Sequence, residues 1–308
     1  MSASIVKVEN LSHRYSVQWA IKDINFELTR NGIYGLLGSN GAGKSTIMNI
    51  MCGVIKQTQG EVYIQGVSLR KDPVKAKRHI GFLPQQPPLA TDLTVEEYLR
   101  HCAGIRLMEP SKVKPAIEEV MGKVGISHFS KRLIRNLSGG YQQRVGIAQA
   151  IIHKPDFVVL DEPTNGLDPN QILEVRNLIR EIAEERTVVL STHILQEVQA
   201  LCDNIWMINE GNVVFSGSLD EFDNHIMPNT LVVSLLALPA PEALKAIPGV
   251  IHAEPIGGSR YRIQFTDVTE VTERLVAASV SNNWRLMEIT PEKNSLDTIF
   301  AELSKKRK

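Results

Sequence analysis

The sequence predicts an α/β fold, a large domain built on buried parallel strands with a small α+β domain after it, and three observations lead there. Residues 157–160 and 187–190 are short, wholly apolar or β-branched runs, as parallel strands buried on both faces show, and residues 169–184 between them have the pattern of a crossover helix. A glycine-rich loop at 38–46 follows the apolar run 33–37 and opens a helical pattern over 44–52. Beyond 223–230, where Asn, His and Pro break the periodicity, the order becomes strand, helix, hairpin, helix, strand.

Each element follows from its local pattern. Residues 5–8, 24–28 and 33–37 are predicted strands. Between 92 and 150 the apolar spacing is helical, over 95–106, 112–122 and 141–153, which implies a mostly helical insert. Residues 205–208 and 213–215 form an antiparallel hairpin turning at Glu210 and Gly211. The second domain is predicted as strand 231–236, helix 241–246, a hairpin about Gly257 and Gly258, helix 268–281, strand 284–289 and a last helix 295–303. That order resembles a ferredoxin-like βαββαβ module. The expected domains are therefore 1–222, with a helical subdomain at about 90–154, and 229–308.

Composition narrows the function classes. With 308 residues, 43% hydrophobic and 22% charged, the chain can bury a sizeable core in two domains. Lys+Arg and Asp+Glu both total 34, so no global field favours nucleic acid or an anionic membrane, and any polyanion site must be local. Cys52, Cys102 and Cys202 are odd in number and lack metal-ligand spacing, which suits core positions in a reducing compartment. No positively charged segment precedes an apolar run at the N-terminus, so no secretory signal is expected. The longest apolar stretch, 231–240, is half of the roughly 20 residues a spanning helix needs. The expectation is a cytoplasmic protein, free of nucleic acid, that meets a membrane only through a partner. The basic run 305–308 is expected to be a solvated tail.

The loop Gly38-Ser39-Asn40-Gly41-Ala42-Gly43-Lys44-Ser45-Thr46 fits G-x-x-x-x-G-K-[ST]. Glycines let backbone N–H groups turn toward phosphate oxygens, Lys44 supplies a point charge toward the β and γ phosphates, and the Ser45 hydroxyl can ligate magnesium. The apolar run 157–160 ends in Asp161 and Glu162, followed by Pro163. Asp161 is suited to the magnesium shell, and Glu162 to orienting or deprotonating the water that attacks the terminal phosphate. Together these predict hydrolysis of a nucleotide.

Many ATPases share those two motifs. What distinguishes this chain is Leu137-Ser138-Gly139-Gly140, followed by Tyr141-Gln142-Gln143-Arg144 at the start of a helix, which resembles the signature of ATP-binding-cassette (ABC) proteins. Ser138, Gly139 and Gly140 make a second helix start able to meet an anion. Further pieces follow in the family's order: Gln85 resembles the Q-loop, Gly166-Leu167-Asp168 the D-loop, and His193 after Ser191-Thr192 the switch histidine. Tyr15 lies where the family places an aromatic against adenine. Tyr141 departs from the family's usual glutamine, and hydrolysis is expected to survive it.

The resemblance covers residues 5 to roughly 222 and implies a P-loop NTPase domain with a RecA-like core and a helical subdomain. It implies ATP and Mg2+ as ligands, with Ser45, Gln85 and Asp161 at the metal. It also implies a head-to-tail homodimer in which Lys44, Ser45 and Gln85 of one chain and Ser138 and Gly140 of the other enclose each ATP, while Glu162 and His193 act on water and γ-phosphate. The groove around 86–110 would receive a coupling helix of an integral membrane subunit, with Pro84, Pro87 and Pro88 either stiffening that connection or merely punctuating a loop. Residues 295–303 resemble the ending of type-2 exporter ATPase subunits, the branch with drug-resistance and gliding-motility members, and residues 165–171 resemble the gliding group. The second domain would then dimerise, regulate, or only stabilise. A soluble ABC ATPase of translation, DNA repair or chromosome structure is disfavoured because the chain lacks a second cassette, long coiled coils and zinc modules, and a non-hydrolysing regulatory module is disfavoured by Glu162.

Overall fold

Period-two alternation starts the chain as a sheet. β1 (Val6–Tyr15) buries Val6, Val8 and Leu11 and pairs antiparallel with β2 (Gln18–Leu28), which buries Ile21, Ile24 and Leu28. Their register shifts beside Asn10, whose backbone is left-handed (φ 48°) and whose N–H donates to the Asn25 side chain at 2.7 Å. That bulge is why both strands run well beyond the stretches their alternation marks. The computed structural model describes residues 4–225 and 230–292. Within them the chain forms two units, the first ending at Phe222 and the second beginning at Asp223.

In the first unit β3 (Gly32–Leu37) runs into α1 (Lys44–Met51), and β4 (Gln59–Ile64) with β5 (Val67–Ser68) completes a four-stranded sheet in the order β2-β1-β4-β5. After α2 (Pro73–Lys77) and β6 (Ile80–Leu83) come the expected helices, α3 (Val95–Ile105), α4 (Pro110–Lys123) and α5 (Gly139–Ile151). A capping box starts α3: the Thr94 hydroxyl accepts from the Glu97 N–H while the Glu97 carboxylate accepts from the Thr94 N–H. Then follow β7 (Phe157–Asp161), α6 (Pro169–Ala183), β8 (Thr187–Thr192), α7 (Leu195–Leu201), the hairpin β9 (Asn204–Asn209) and β10 (Asn212–Ser218), and α8 (Leu219–His225).

These strands form a six-stranded sheet, β10-β9-β3-β8-β7-β6, parallel except for the β9–β10 hairpin. Trp206 of β9 joins it to the four-stranded sheet, stacking on Phe26 of β2 at 4.4 Å between ring centroids and on Tyr34 of β3 at 5.4 Å. Register aligns Leu37 with Thr192 and Asp161 with Ser191, so β3, β7 and β8 end along one edge. Parallel sheets place ligands outside such carboxyl ends.

The second unit contains β11 (Thr230–Leu235), α9 (Pro241–Lys245), β12 (Val250–Gly257), β13 (Arg260–Phe265), α10 (Val268–Ser281) and β14 (Leu286–Pro291). The sheet order β12-β13-β11-β14, antiparallel throughout, is the βαββαβ arrangement the pattern predicts. Its own core includes Leu231, Val233, Ile263, Phe265 and Leu275. β14 starts later than residue 284 because Asn283 and Arg285 take left-handed conformations, φ 56° and 55°. No helix among the described residues is long and apolar enough to cross a membrane. The predicted helix 295–303 and the basic run 305–308 lie outside the described residues.

Candidate functional site

The phosphate loop owes its shape to the strand before it and the helix after it. Gly43 caps α1 with φ 110°, a conformation that L side chains rarely adopt, and a Cβ there would lie 2.8 Å from the Ala20 carbonyl of β2. The loop is thereby pressed against β2, and Lys44 begins the helix nearly buried, at 6% exposure. Its Nζ donates to the carbonyls of Gly38 and Ser39, at 2.8 and 3.0 Å. Burial lowers the lysine's pKa, while the carboxylates of Glu162 and Asp161 act the other way.

Asn40, Gly41, Gly43, Lys44, Ser45 and Thr46 line a cleft of about 910 Å³, while the exposed Ser39 and the buried Ala42 do not line it. The cleft's far wall is Gln85, Glu162 and His193, and its near wall is Tyr15 with Gln18 and Trp19 of the first hairpin. Tyr15 is 54% exposed and meets the His13 ring edge-on at 4.7 Å. An exposed aromatic face above a phosphate-sized loop suits a base. Trp19, which also lines this wall, is not singled out by any motif.

The two acidic residues at the end of β7 differ in setting. Asp161 is buried and its Oδ1 accepts from Ser191 Oγ at 2.5 Å. Ser191 Oγ in turn accepts from the Glu162 N–H at 3.0 Å, so one hydroxyl of β8 fixes both. Glu162 takes a left-handed backbone, φ 49°, which turns its side chain off the strand into the cleft. Its Oε1 lies 3.1 Å from His193 Nδ1, and its Oε2 accepts from Gln85 Nε2 at 3.1 Å and Asn165 Nδ2 at 3.2 Å. A carboxylate only accepts, so the Nδ1 of His193 carries the proton and its Nε2 is left for a ligand.

Ser45, Gln85 and Asp161 offer hydroxyl, amide-carbonyl and carboxylate oxygens, a hard donor set that fits Mg2+ held through few protein ligands. With Gln85 Nε2 committed to Glu162, its Oε1 is the atom left for a cation. Among the described residues no group of three His, Cys, Asp or Glu could hold a metal ion.

Ser138, Gly139 and Gly140 are placed elsewhere. They start α5 with Ser138 and Gly139 exposed, and none of the three lines the cleft. Gly140 lies beneath the Gln171 side chain, next to Asp168, which caps α6 by accepting from the Asn170 and Gln171 N–H groups. Gln143 ties α5 to the site, its Nε2 donating to the Pro163 carbonyl at 2.8 Å. Of the residues predicted for the site, the structure thus gathers those of the loop, Tyr15, Gln85, Asp161, Glu162 and His193, and leaves the signature apart. Asn165, Ser191 and Trp19 join them without having been foreseen.

Comparison with known proteins gives the following. A family model described as "ABC transporter" matches residues 21–165. The bacitracin transport ATP-binding protein BcrA of Bacillus licheniformis is 39% identical over 214 residues, 69% of this chain and 69% of that protein. The linearmycin resistance ATP-binding protein LnrL of Bacillus subtilis is 28% identical over 308 residues, 97% of this chain and 98% of its own. Among solved structures, a dimeric post-hydrolysis state of the ATP-binding cassette MJ0796 bound to ADP and Pi is similar at TM-score 0.64 and 28% identity, covering 70% of this chain and 98% of that one.

Proposed function

The chain belongs to the family of ABC transporter ATP-binding proteins and is an ATPase, and from that premise we propose that it works as a head-to-tail homodimer powering an integral membrane partner of a type-2 exporter-like transporter, on the membrane's cytoplasmic face. The observation that carries this reading is the separation of two anion-suited helix starts: Lys44 opens the cleft, while Ser138, Gly139 and Gly140 stand outside it. One chain therefore offers the signature to another. That dimers of a similar cassette hold ADP and Pi supports the same arrangement, and the bacitracin and linearmycin names of the relatives support export. In this reading residues 1–222 are the ATPase domain and 229–308 an accessory domain that aids dimerisation or regulates hydrolysis.

Roles follow from the geometry. The phosphate-loop N–H groups and Lys44 Nζ hold the β and γ phosphates, and Tyr15 faces the adenine. Ser45, Gln85 and Asp161 would hold Mg2+, which when bound supplies charge neutralisation at the phosphates. Glu162, fixed by Ser191 through its backbone, orients the attacking water and accepts its proton. His193 keeps Nδ1 on Glu162 and turns Nε2 toward the γ-phosphate. The partner chain's signature closes over the γ-phosphate. Loss of that shared phosphate on hydrolysis removes the ligand joining the two chains, so they part.

Glu162→Gln is expected to lower phosphate release about a hundredfold or more and to accumulate an ATP-bound dimer by size-exclusion chromatography. Lys44→Ala prevents that dimer. A monomeric Glu162→Gln chain at saturating ATP would overturn the composite site.

A further inference from the structure

Behind the His193 turn lies a buried acid that the chemistry above leaves unused. Glu197 of α7 is 3% exposed and does not line the nucleotide cleft. A carboxylate so deep requires partners, and its partners come from three separate parts of the chain. Its Oε1 accepts from the Thr164 hydroxyl, in the loop after β7. Its Oε2 accepts from Thr192 Oγ1 at 2.7 Å, at the end of β8. Arg176 Nη2 of α6 stands 4.0 Å from Oε1.

The Thr192 hydroxyl does a second thing: it accepts from the Ile194 N–H at 3.0 Å. One oxygen thus grips both neighbours of His193, and the Glu197 N–H donates to the Ile194 carbonyl at 3.1 Å to close the turn. On the other side, Thr164 precedes Asn165, whose side chain donates to Glu162. The same carboxylate therefore anchors the segment carrying Glu162 and the segment carrying His193.

We infer that Glu197 is a positioning residue for hydrolysis, setting through Thr164 and Thr192 the spacing at which His193 meets Glu162. This rests on the roles given above to Glu162 and His193. Replacing the carboxylate by an amide puts an N–H₂ against one threonine hydroxyl that had been donating, so that hydroxyl must turn and the His193 turn loosens. ATP binding, made by the phosphate loop and the first hairpin, is untouched.

The test uses the full chain and measures steady-state hydrolysis beside thermal unfolding. Glu197→Gln and Thr192→Val are each expected to lower kcat about tenfold, as small misplacements of reacting groups do, with KM for ATP held within about twofold. Thr192→Ser, which restores the hydroxyl, returns kcat to within about twofold of the parent. The double variant Glu197→Gln/Thr192→Val falls little below either single one, because both break the same linkage. A folded Thr192→Val chain with parental kcat, or a Thr192→Ser chain as slow as Thr192→Val, overturns the inference; so does a lowered Tm with kcat unmoved. Should Glu197→Gln not fold, the threonine pair decides alone. Glu162→Gln runs alongside: if it hydrolysed at the parental rate, the assignment of the base would fail first, a result distinct from any threonine outcome.

Discussion

Two helix starts in the first unit, α1 and α5, carry nearly the same local chemistry and come to different ends. Each begins in glycine and serine, and each presents backbone N–H groups and a favourable dipole to an anion. At α1 the loop is pressed on β2 by Gly43, Lys44 is folded onto Gly38 and Ser39, and β7 and β8 bring Glu162 and His193 across the cleft. At α5 the cap Ser138 is extended, φ −64° and ψ 160°, with its hydroxyl making no capping bond, and no catalytic carboxylate faces it. On the proposed roles, what makes an anion site catalytic is therefore not the helix start but the parallel sheet that delivers acid groups to it. In the proposed dimer the α5 start is half a site, finished by another copy.

The sharpest way to break this comparison is to add the same methyl group at both. Gly43→Ala forces a side chain into a left-handed position with its Cβ 2.7 Å from Ile21 and 2.8 Å from a backbone carbonyl. ATP binding is expected to weaken about a hundredfold, since the whole loop must shift, and equilibrium binding of a fluorescent ATP analogue measures it. At Gly140 the added Cβ would meet Gln171 at 2.5 Å, but the obstructing atoms are the far end of a flexible side chain. Gly140→Ala is expected to leave ATP binding by the single chain unchanged and to lower dimer hydrolysis about tenfold, by crowding one donor face. Equal losses of single-chain binding in both variants would mean that α5 contributes to its own chain's cleft.

The contrast also separates what the sequence makes legible from what it hides. Local chemistry reads well: the glycine spacing of 38–46, the Asp161-Glu162 pair and the signature are contiguous, and periodic helices such as α3 and α6 declare themselves within two turns. Short or irregular strands do not. β4 carries Gly60 and no clean alternation, and β6, with Gly81 inside it, is seen from sequence only as the run leading to Gln85. α7 hides behind the His193 motif. In the site, Ser191, Asn165 and Glu197 were invisible for another reason. Their meaning lies in contacts such as Ser191 with Asp161, 30 residues apart, which only the pairing of β7 with β8 creates. Trp19 sits in a strand whose neighbours give it no motif.

A milder distinction between the two helix starts is titration. In the proposed function the α1 site depends on a lysine, whereas the side chains of Ser138, Gly139 and Gly140 carry no charge. Burial lowers the Lys44 pKa from 10.5, so its charge is lost at a lower pH than that of an exposed lysine. ATP affinity should therefore be flat near pH 7 and fall several-fold before pH 10.5. Lys44→Arg, which stays charged throughout, should flatten that profile whatever its absolute affinity. A parental profile that stays level to pH 10.5 would show that Lys44 keeps its charge despite burial.

The smallest effect is expected at Tyr141, the position where the α5 start departs from the family's glutamine. Its ring stands edge-on to Phe129 at 4.6 Å between centroids, lies 6.1 Å from His128, and has the Arg144 guanidinium 5.7 Å from its centre. Those partners belong to the helical part of the same chain, so the side chain is committed to its own packing, and the groups proposed to meet a γ-phosphate are those of Ser138, Gly139 and Gly140. Tyr141→Gln should then lower stability by about 1 kcal/mol through lost ring contacts while changing hydrolysis by no more than about threefold. Thermal unfolding and steady-state rates on one preparation measure both. A tenfold loss of hydrolysis with an unchanged Tm would place the tyrosine ring at the shared nucleotide instead, and α5 would then contribute a side chain, as α1 contributes its lysine.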